Sequence, residues 1–316
     1  MTLEKATQPT MYFIGVTTEH SSIMKVFPEW VKALGLKDAV IKGIDIAIHA
    51  DPAVYRKVVE FIKNDPLSMG ALVTTHKIDL YNAAKDLFEY LDPYATQFGE
   101  LSSISKRDNM LCGHAKDPIT CGMAMEAFLP SNYWRENPEA GVFIMGAGGS
   151  AISICSYYMR NAGKGNDPAE IAVANRSQPR LTQIEKVNAG MNPAGIPTAY
   201  YLTPNPGEND AALEKMGKGS LVINATGLGK DRPGSPLTDD ARFPEGALVW
   251  ELNYRGERLF MQQAQAQQSS KGLTIVDGWM YFIYGWTQVI AEVFHIDILG
   301  ERLEKMDRLA AKFNIR

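Results

Sequence analysis

Gly141-Val142-Phe143-Ile144-Met145-Gly146-Ala147-Gly148-Gly149-Ser150-Ala151 carries a short apolar run into a glycine turn and on into a helical pattern. Four consecutive apolar residues, Val142 to Met145, suit a strand buried on both faces, and Ala151 to Met159 continues at helical spacing. The turn reads Gly146-x-Gly148-x-x-Ala151, with Gly149 and Ser150 at the helix start. Free N–H groups there, reinforced by the helix dipole, favour a pyrophosphate. About 25 residues on, a second apolar run, Ile171 to Ala174, ends in Asn175-Arg176-Ser177. A carboxylate at that strand end would hold a free ribose 2′-hydroxyl, whereas arginine beside serine suits a 2′-phosphate, so the expected cofactor is NADP. A further strand at Ser220 to Asn224, with helical patterns between, implies a parallel, doubly wound sheet of the Rossmann type with right-handed crossovers.

Upstream, residues 1 to about 115 also alternate strand and helix but lack a glycine turn of this kind. Strands are expected at Met11–Val16, Val40–Ile48, Gly70–Thr74, Leu101–Ile104 and Met110–Cys112. Helices are expected at Ser22–Leu36, Asp51 or Pro52 to Lys63, and Ile78–Leu91, with Asp51-Pro52 supplying a cap acceptor and a first-turn proline. Asp117-Pro118 leads into an apolar helix near Ile119–Phe128. The polar stretch Pro130 to Pro138 has the composition of a boundary. The aromatic segment Trp279–Ile298 follows a six-strand unit that is already complete, so it is expected to return to the N-terminal domain. The division expected is 1–120 for an α/β substrate domain, 121–277 for the NADP-binding domain, and 278–316 for the returning helices.

The chain has 316 residues, which favours two domains; it is 45% hydrophobic and 22% charged, as ordinary globular proteins are. A formal charge of −4 with scattered basic residues gives no reason to expect nucleic acid. The three cysteines, Cys112, Cys121 and Cys155, lack C-x-x-C spacing and suit a reducing compartment, and no metal site is expected. No apolar stretch reaches membrane-spanning length and no charged-then-apolar leader is visible. A cytoplasmic protein, monomeric or homodimeric, with a small-molecule substrate is the expectation.

Hydride transfer between a nicotinamide and an alcohol needs a group to carry the hydroxyl proton. Lys77 follows the strand Ala71–Thr74, at the carboxyl end where ligands of open α/β sheets gather, and Asp117 at the start of the connecting helix is a candidate to orient it.

Seven segments occur in the order and spacing of the shikimate dehydrogenase family: 15–22 (GVTTEHSS), 70–77 (GALVTTHK), 113–117 (GHAKD), 146–151 (GAGGSA), 175–177 (NRS), 224–229 (NATGLG) and Tyr254. The resemblance runs over most of the chain. It implies a two-domain enzyme that interconverts 3-dehydroshikimate and shikimate with NADP in aromatic amino acid biosynthesis, with Lys77 and Asp117 as the catalytic pair. It also implies that Asn224, Ala225 and Thr226 meet the nicotinamide side, and that Ser21, Thr74, Ser102, Tyr254 and Tyr284 stand at substrate positions.

Departures from the family pattern cluster at the substrate shell. Ile23 takes the second serine position of the first loop. Leu72, Ser102 and Ala115 replace asparagines, and Tyr284 replaces a glutamine. Thr74 to Lys77 is one residue short, with His76 where a proline is expected. Filling the proline's place is the plain reading of His76, with proton transfer or contact to a substrate hydroxyl as the others. Losing several polar contacts alters which polyol fits. A related cyclic hydroxy acid is therefore the expected substrate. The alternatives are an NAD-dependent quinate or other cyclitol dehydrogenase, and a nucleotide-sensing protein without turnover.

Overall fold

A computed structural model describes residues 3–229 and 232–313. The described residues fold as two compact units, the first formed by 3–116 together with 283–313, the second by those within Asp117–Phe282.

The first unit begins β1 (Thr10–Gly15), α1 (Ile23–Leu34), β2 (Val40–Asp45), α2 (Pro52–Asn64), β3 (Ser68–Val73) and α3 (Lys77–Ala84). It continues with β4 (Tyr90–Leu91), α4 (Pro93–Phe98), β5 (Ser103–Arg107) and β6 (Met110–His114). The sheet order is β2-β1-β3-β5-β6-β4. Helical crossovers make β1 parallel to β2 and β3, whereas β5 runs antiparallel to both β3 and β6. The hairpin β5–β6 turns on Asp108 and Asn109, at φ 50° and 64°, the two positive values that a tight right-twisted hairpin requires. Gly70 has φ 140°, and a Cβ there would run into the Ile104 carbonyl oxygen, so the approach of β3 to β5 demands glycine. Asp51 caps α2 as expected, accepting from the Ala53 N–H at 2.8 Å. Tyr55, Val58, Val59 and Ile62 of α2 and Leu80 of α3 bury against Ile14, Ala71 and Val73 of the sheet.

The second unit contains α5 (Asp117–Glu126), α6 (Tyr133–Glu136), β7 (Val142–Met145), α7 (Gly149–Asn161), β8 (Ile171–Asn175), α8 (Gln178–Ala189) and β9 (Thr198–Leu202). It closes with α9 (Pro206–Leu213), β10 (Leu221–Asn224), β11 (Leu248–Glu251), α10 (Leu259–Lys271) and β12 (Thr274–Val276). All six strands are parallel, in the order β12-β11-β10-β7-β8-β9. The doubly wound sheet therefore reverses direction between β7 and β10, the switch point at which such folds bind ligands. The stretch 130–138 is folded into this unit: Tyr133 and Trp134 are buried, and the Tyr133 hydroxyl donates to the Gly219 carbonyl at 2.6 Å.

The final helices are α11 (Trp279–Phe294) and α12 (Glu301–Ala310). As expected, they pack on the N-terminal sheet and α1. Trp286 meets Phe13 edge-on at 4.9 Å, and the Trp30 indole N–H donates to the Met306 carbonyl at 2.8 Å. Among the described residues no helix is long and apolar enough to cross a membrane.

Candidate functional site

In the second unit the nucleotide-type residues gather at the carboxyl ends of β7, β8 and β10. Gly146 ends β7 at φ 117°, and a Cβ on it would sit 2.6 Å from the Ala225 carbonyl oxygen, so glycine lets the turns after β7 and β10 touch. Gly148 caps the 13-residue helix α7, and a Cβ built on it meets nothing within 4 Å. The helix start thus faces open space, as a pyrophosphate resting on its N–H groups requires. Ala151 is buried, and the Ser150 hydroxyl lies 3.2 Å from that of Tyr281. Asn175 ends β8 with its amide donating to the Ser177 carbonyl at 3.2 Å, which shapes the turn that holds the exposed Arg176. These groups fit an adenosine 2′-phosphate: a cation at the strand tip, with backbone and hydroxyl donors beside it.

After β10, Asn224 is fully buried and its side chain is committed to the protein. The amide nitrogen donates to the two Glu251 carboxylate oxygens at 3.1 and 2.9 Å, while the amide oxygen accepts from the N–H and hydroxyl of Thr226 at 3.1 and 2.7 Å. Glu251 also accepts from the Asn253 backbone N–H and side-chain amide at 2.9 and 2.7 Å. Burial pushes the Glu251 pKa up to about 7, against the pull of these donors and of Arg258. Asn224 therefore acts as the brace of the loop that carries Ala225 and Thr226. Tyr254, two residues past Leu252, rests its ring on Phe282 at 4.5 Å.

In the first unit, Ser21 lies on the loop after β1. That loop is pinned by Thr18, whose N–H and hydroxyl both donate to Asp45 Oδ1, at 2.9 and 2.6 Å. Thr74 is half-buried at the end of β3, and its N–H donates to the Ile14 carbonyl at 3.0 Å. Lys77 is the first residue of α3, with its carbonyl accepting from the Leu101 N–H at 3.1 Å. His76 is buried, and its Nδ1 lies 3.2 Å from the Tyr55 hydroxyl. Ser102 is also buried; its hydroxyl accepts from the Lys116 N–H at 2.7 Å and donates to the His114 carbonyl at 3.4 Å. These bonds shape the segment leading to Asp117, the half-buried first residue of α5 in the second unit.

Tyr284, on α11, is half-buried in the first unit. Further along α11, Glu292 lies 2.5 Å from Lys116 Nζ and 3.4 Å from His114 Nε2, with Arg107 at 4.0 Å. Although burial works the other way, the Lys116 hydrogen bond and the surrounding cations hold the Glu292 carboxyl below its usual range. Desolvation, outweighing Glu292, lowers the His114 pKa. Sequence reading missed Glu251 and Glu292. Glu251 was marked by a carboxylate closing the apolar run Leu248–Trp250, but nothing in the helical pattern of α11 distinguished Glu292.

No family model matches the chain. Among curated proteins it is similar to the NADP+ shikimate dehydrogenase of Streptococcus thermophilus, 25% identical over 180 residues, 56% of this chain and 58% of that one. The match thus spans less than two thirds of that relative's length. The counterpart from Streptococcus suis is 25% identical over 243 residues, covering 75% and 77% of the two chains. Among solved structures, shikimate 5-dehydrogenase from Listeria monocytogenes, in complex with shikimate and NAD, has a TM-score of 0.71 at 18% identity and covers 98% of this chain and 99% of its own. Quinate dehydrogenase from Corynebacterium glutamicum, in complex with NAD, has a TM-score of 0.72 at 17% identity, covering 96% and 99%. In sequence the chain is thus similar to curated NADP+ shikimate dehydrogenases, and its fold is that of the solved shikimate and quinate dehydrogenases.

Proposed function

We propose that the chain is an NADP-dependent oxidoreductase of the shikimate dehydrogenase type, interconverting an alcohol and a ketone on a cyclic hydroxy acid. The observation that carries this reading is the junction of the turns after β7 and β10: Gly146 lies against the Ala225 carbonyl, with the open helix start of α7 at Gly148. The relatives' shared name, NADP+ shikimate dehydrogenase, supports the same cofactor and substrate class. When bound, the nicotinamide takes or supplies the hydride.

The chain's own residues then have separable tasks. Gly148, Gly149, Ser150 and Ala151 seat the pyrophosphate, and Asn175, Arg176 and Ser177 select the 2′-phosphate. Asn224 holds Ala225 and Thr226 towards the nicotinamide side. Lys77 carries the hydroxyl proton, with Asp117 as its partner, a pairing assigned from motif order. Ser21, Thr74, Tyr254 and Tyr284 remain assigned to substrate. Ser102 contributes by shaping the backbone at Lys116, since its hydroxyl is already engaged.

The test is turnover of shikimate and of quinate with NADP and with NAD. NADP-dependent oxidation of a hydroxylated ring acid is expected, falling by about 10²-fold or more in Lys77→Ala. A preference for NAD would overturn the role given to Arg176 and favour the quinate-type reading. In Arg176→Ala, NADPH binding is expected to weaken about tenfold or more with NADH binding unchanged.

A further inference from the structure

His76 stands where the family pattern has proline, and the structure gives it surroundings that loop filling does not require. The side chain is 1% exposed. Its Nδ1 lies 3.2 Å from the Tyr55 hydroxyl, itself 3.5 Å from Asp79 Oδ2, and Asp79 is in turn 2.9 Å from His49 Nδ1 at the surface. One ring nitrogen is thereby fixed by a series of side chains from α2, α3 and the loop before α2. The other, Nε2, is buried and has no hydrogen-bond partner among the described residues. A buried polar atom without a partner costs free energy, and an imidazole oriented by its other nitrogen is a common way of aiming that atom at a ligand. The residue also sits between Thr74 and Lys77, at the carboxyl end of β3, where open α/β sheets take their ligands.

We infer that His76 is a specificity-determining residue whose Nε2 hydrogen-bonds a hydroxyl of the substrate, with Tyr55 as its positioning residue. This rests on the dehydrogenase reading for the identity of the ligand. A hydroxyl both donates and accepts, so it satisfies Nε2 whichever nitrogen carries the proton. A ring carbon bearing hydrogen alone leaves Nε2 unpaired. The contact places one required hydroxyl near Lys77, the next residue along the chain.

The test uses shikimate as the probe on the full-length protein, with the His76 imidazole followed by ¹⁵N NMR and turnover by NADPH formation. Addition of shikimate is expected to shift the Nε2 resonance. His76→Asn, which keeps an amide near the Nδ1 position but has no atom at Nε2, is expected to raise KM about tenfold with kcat changed little. His76→Gln, which places a polar atom near Nε2, is expected to recover most of that loss. Tyr55→Phe should raise KM in the same direction by a smaller factor, and melting curves separate these effects from unfolding. Saturable turnover with an unshifted Nε2, or with an unchanged KM in folded His76→Asn, overturns the contact and leaves the dehydrogenase reading standing. A shifted Nε2 without NADPH formation supports the contact and overturns the turnover reading. Neither signal with shikimate or quinate overturns both.

Discussion

Glu251 shows how much a single residue decides. Burial favours the neutral form of its carboxyl and outweighs the four hydrogen bonds that converge on it, all from donors and all favouring the ionised form. Burial raises the folded-state pKa from 4.5 to about 7. Between those values the folded chain binds more protons than the unfolded chain, so this group's contribution to stability falls as pH rises from about 4.5 through 7. The difference is about 3 kcal/mol. Glu251→Gln is therefore expected to gain on the native protein by about that amount between pH 5 and pH 8, read from urea unfolding at each pH. Parallel stability profiles would contradict the assignment. The sequence reading placed Asn224 beside the nicotinamide but could not see that its amide was spent on Glu251, because the partners lie 27 residues apart on adjacent strands.

At the scale of elements, β7, its glycine turn and α7 were legible because strand period, turn residue and helix spacing all point the same way. The expected helix Ile78–Leu91 was not. Residues 77–84 form α3, a single 3-10 turn follows, and Tyr90–Leu91 becomes strand β4. The Glu89 N–H donates to the Leu111 carbonyl at 3.1 Å and the Asp92 N–H to that of Gly113 at 2.9 Å. Pairing with β6, about 20 residues away, overrides local helix preference. The helix near Ile119–Phe128 begins earlier, at Asp117, because Pro118 fits the first turn. Gly146→Ala tests the glycine turn directly. A side chain at φ 117°, against a carbonyl 2.6 Å away, is expected to cost about 2–4 kcal/mol in denaturant unfolding and to weaken NADPH binding. A loss below about 0.5 kcal/mol would mean that the two turns do not meet as described.

For the whole molecule, each unit has its own buried core, and the returning helices complete the first one. The family resemblance was readable because its motifs sit at strand ends, where backbone geometry and ligand chemistry restrict the residue type. The substrate shell was less readable, since His76 acquires its partners only through the packing of α2 and α3. A ligand that binds the folded chain raises its stability by mass action. NADP at about 100 times its Kd is expected to stabilise the native protein by about 2.7 kcal/mol, with most of that gain absent in Arg176→Ala at the same concentration. The most direct measurement of the central claim is the initial rate of NADPH formation from NADP and shikimate, for the native chain and for Lys77→Ala. Saturable formation by the native chain is expected, with a loss of about 10²-fold or more in the variant. Equal rates in the two proteins would contradict a proton-carrying role for Lys77.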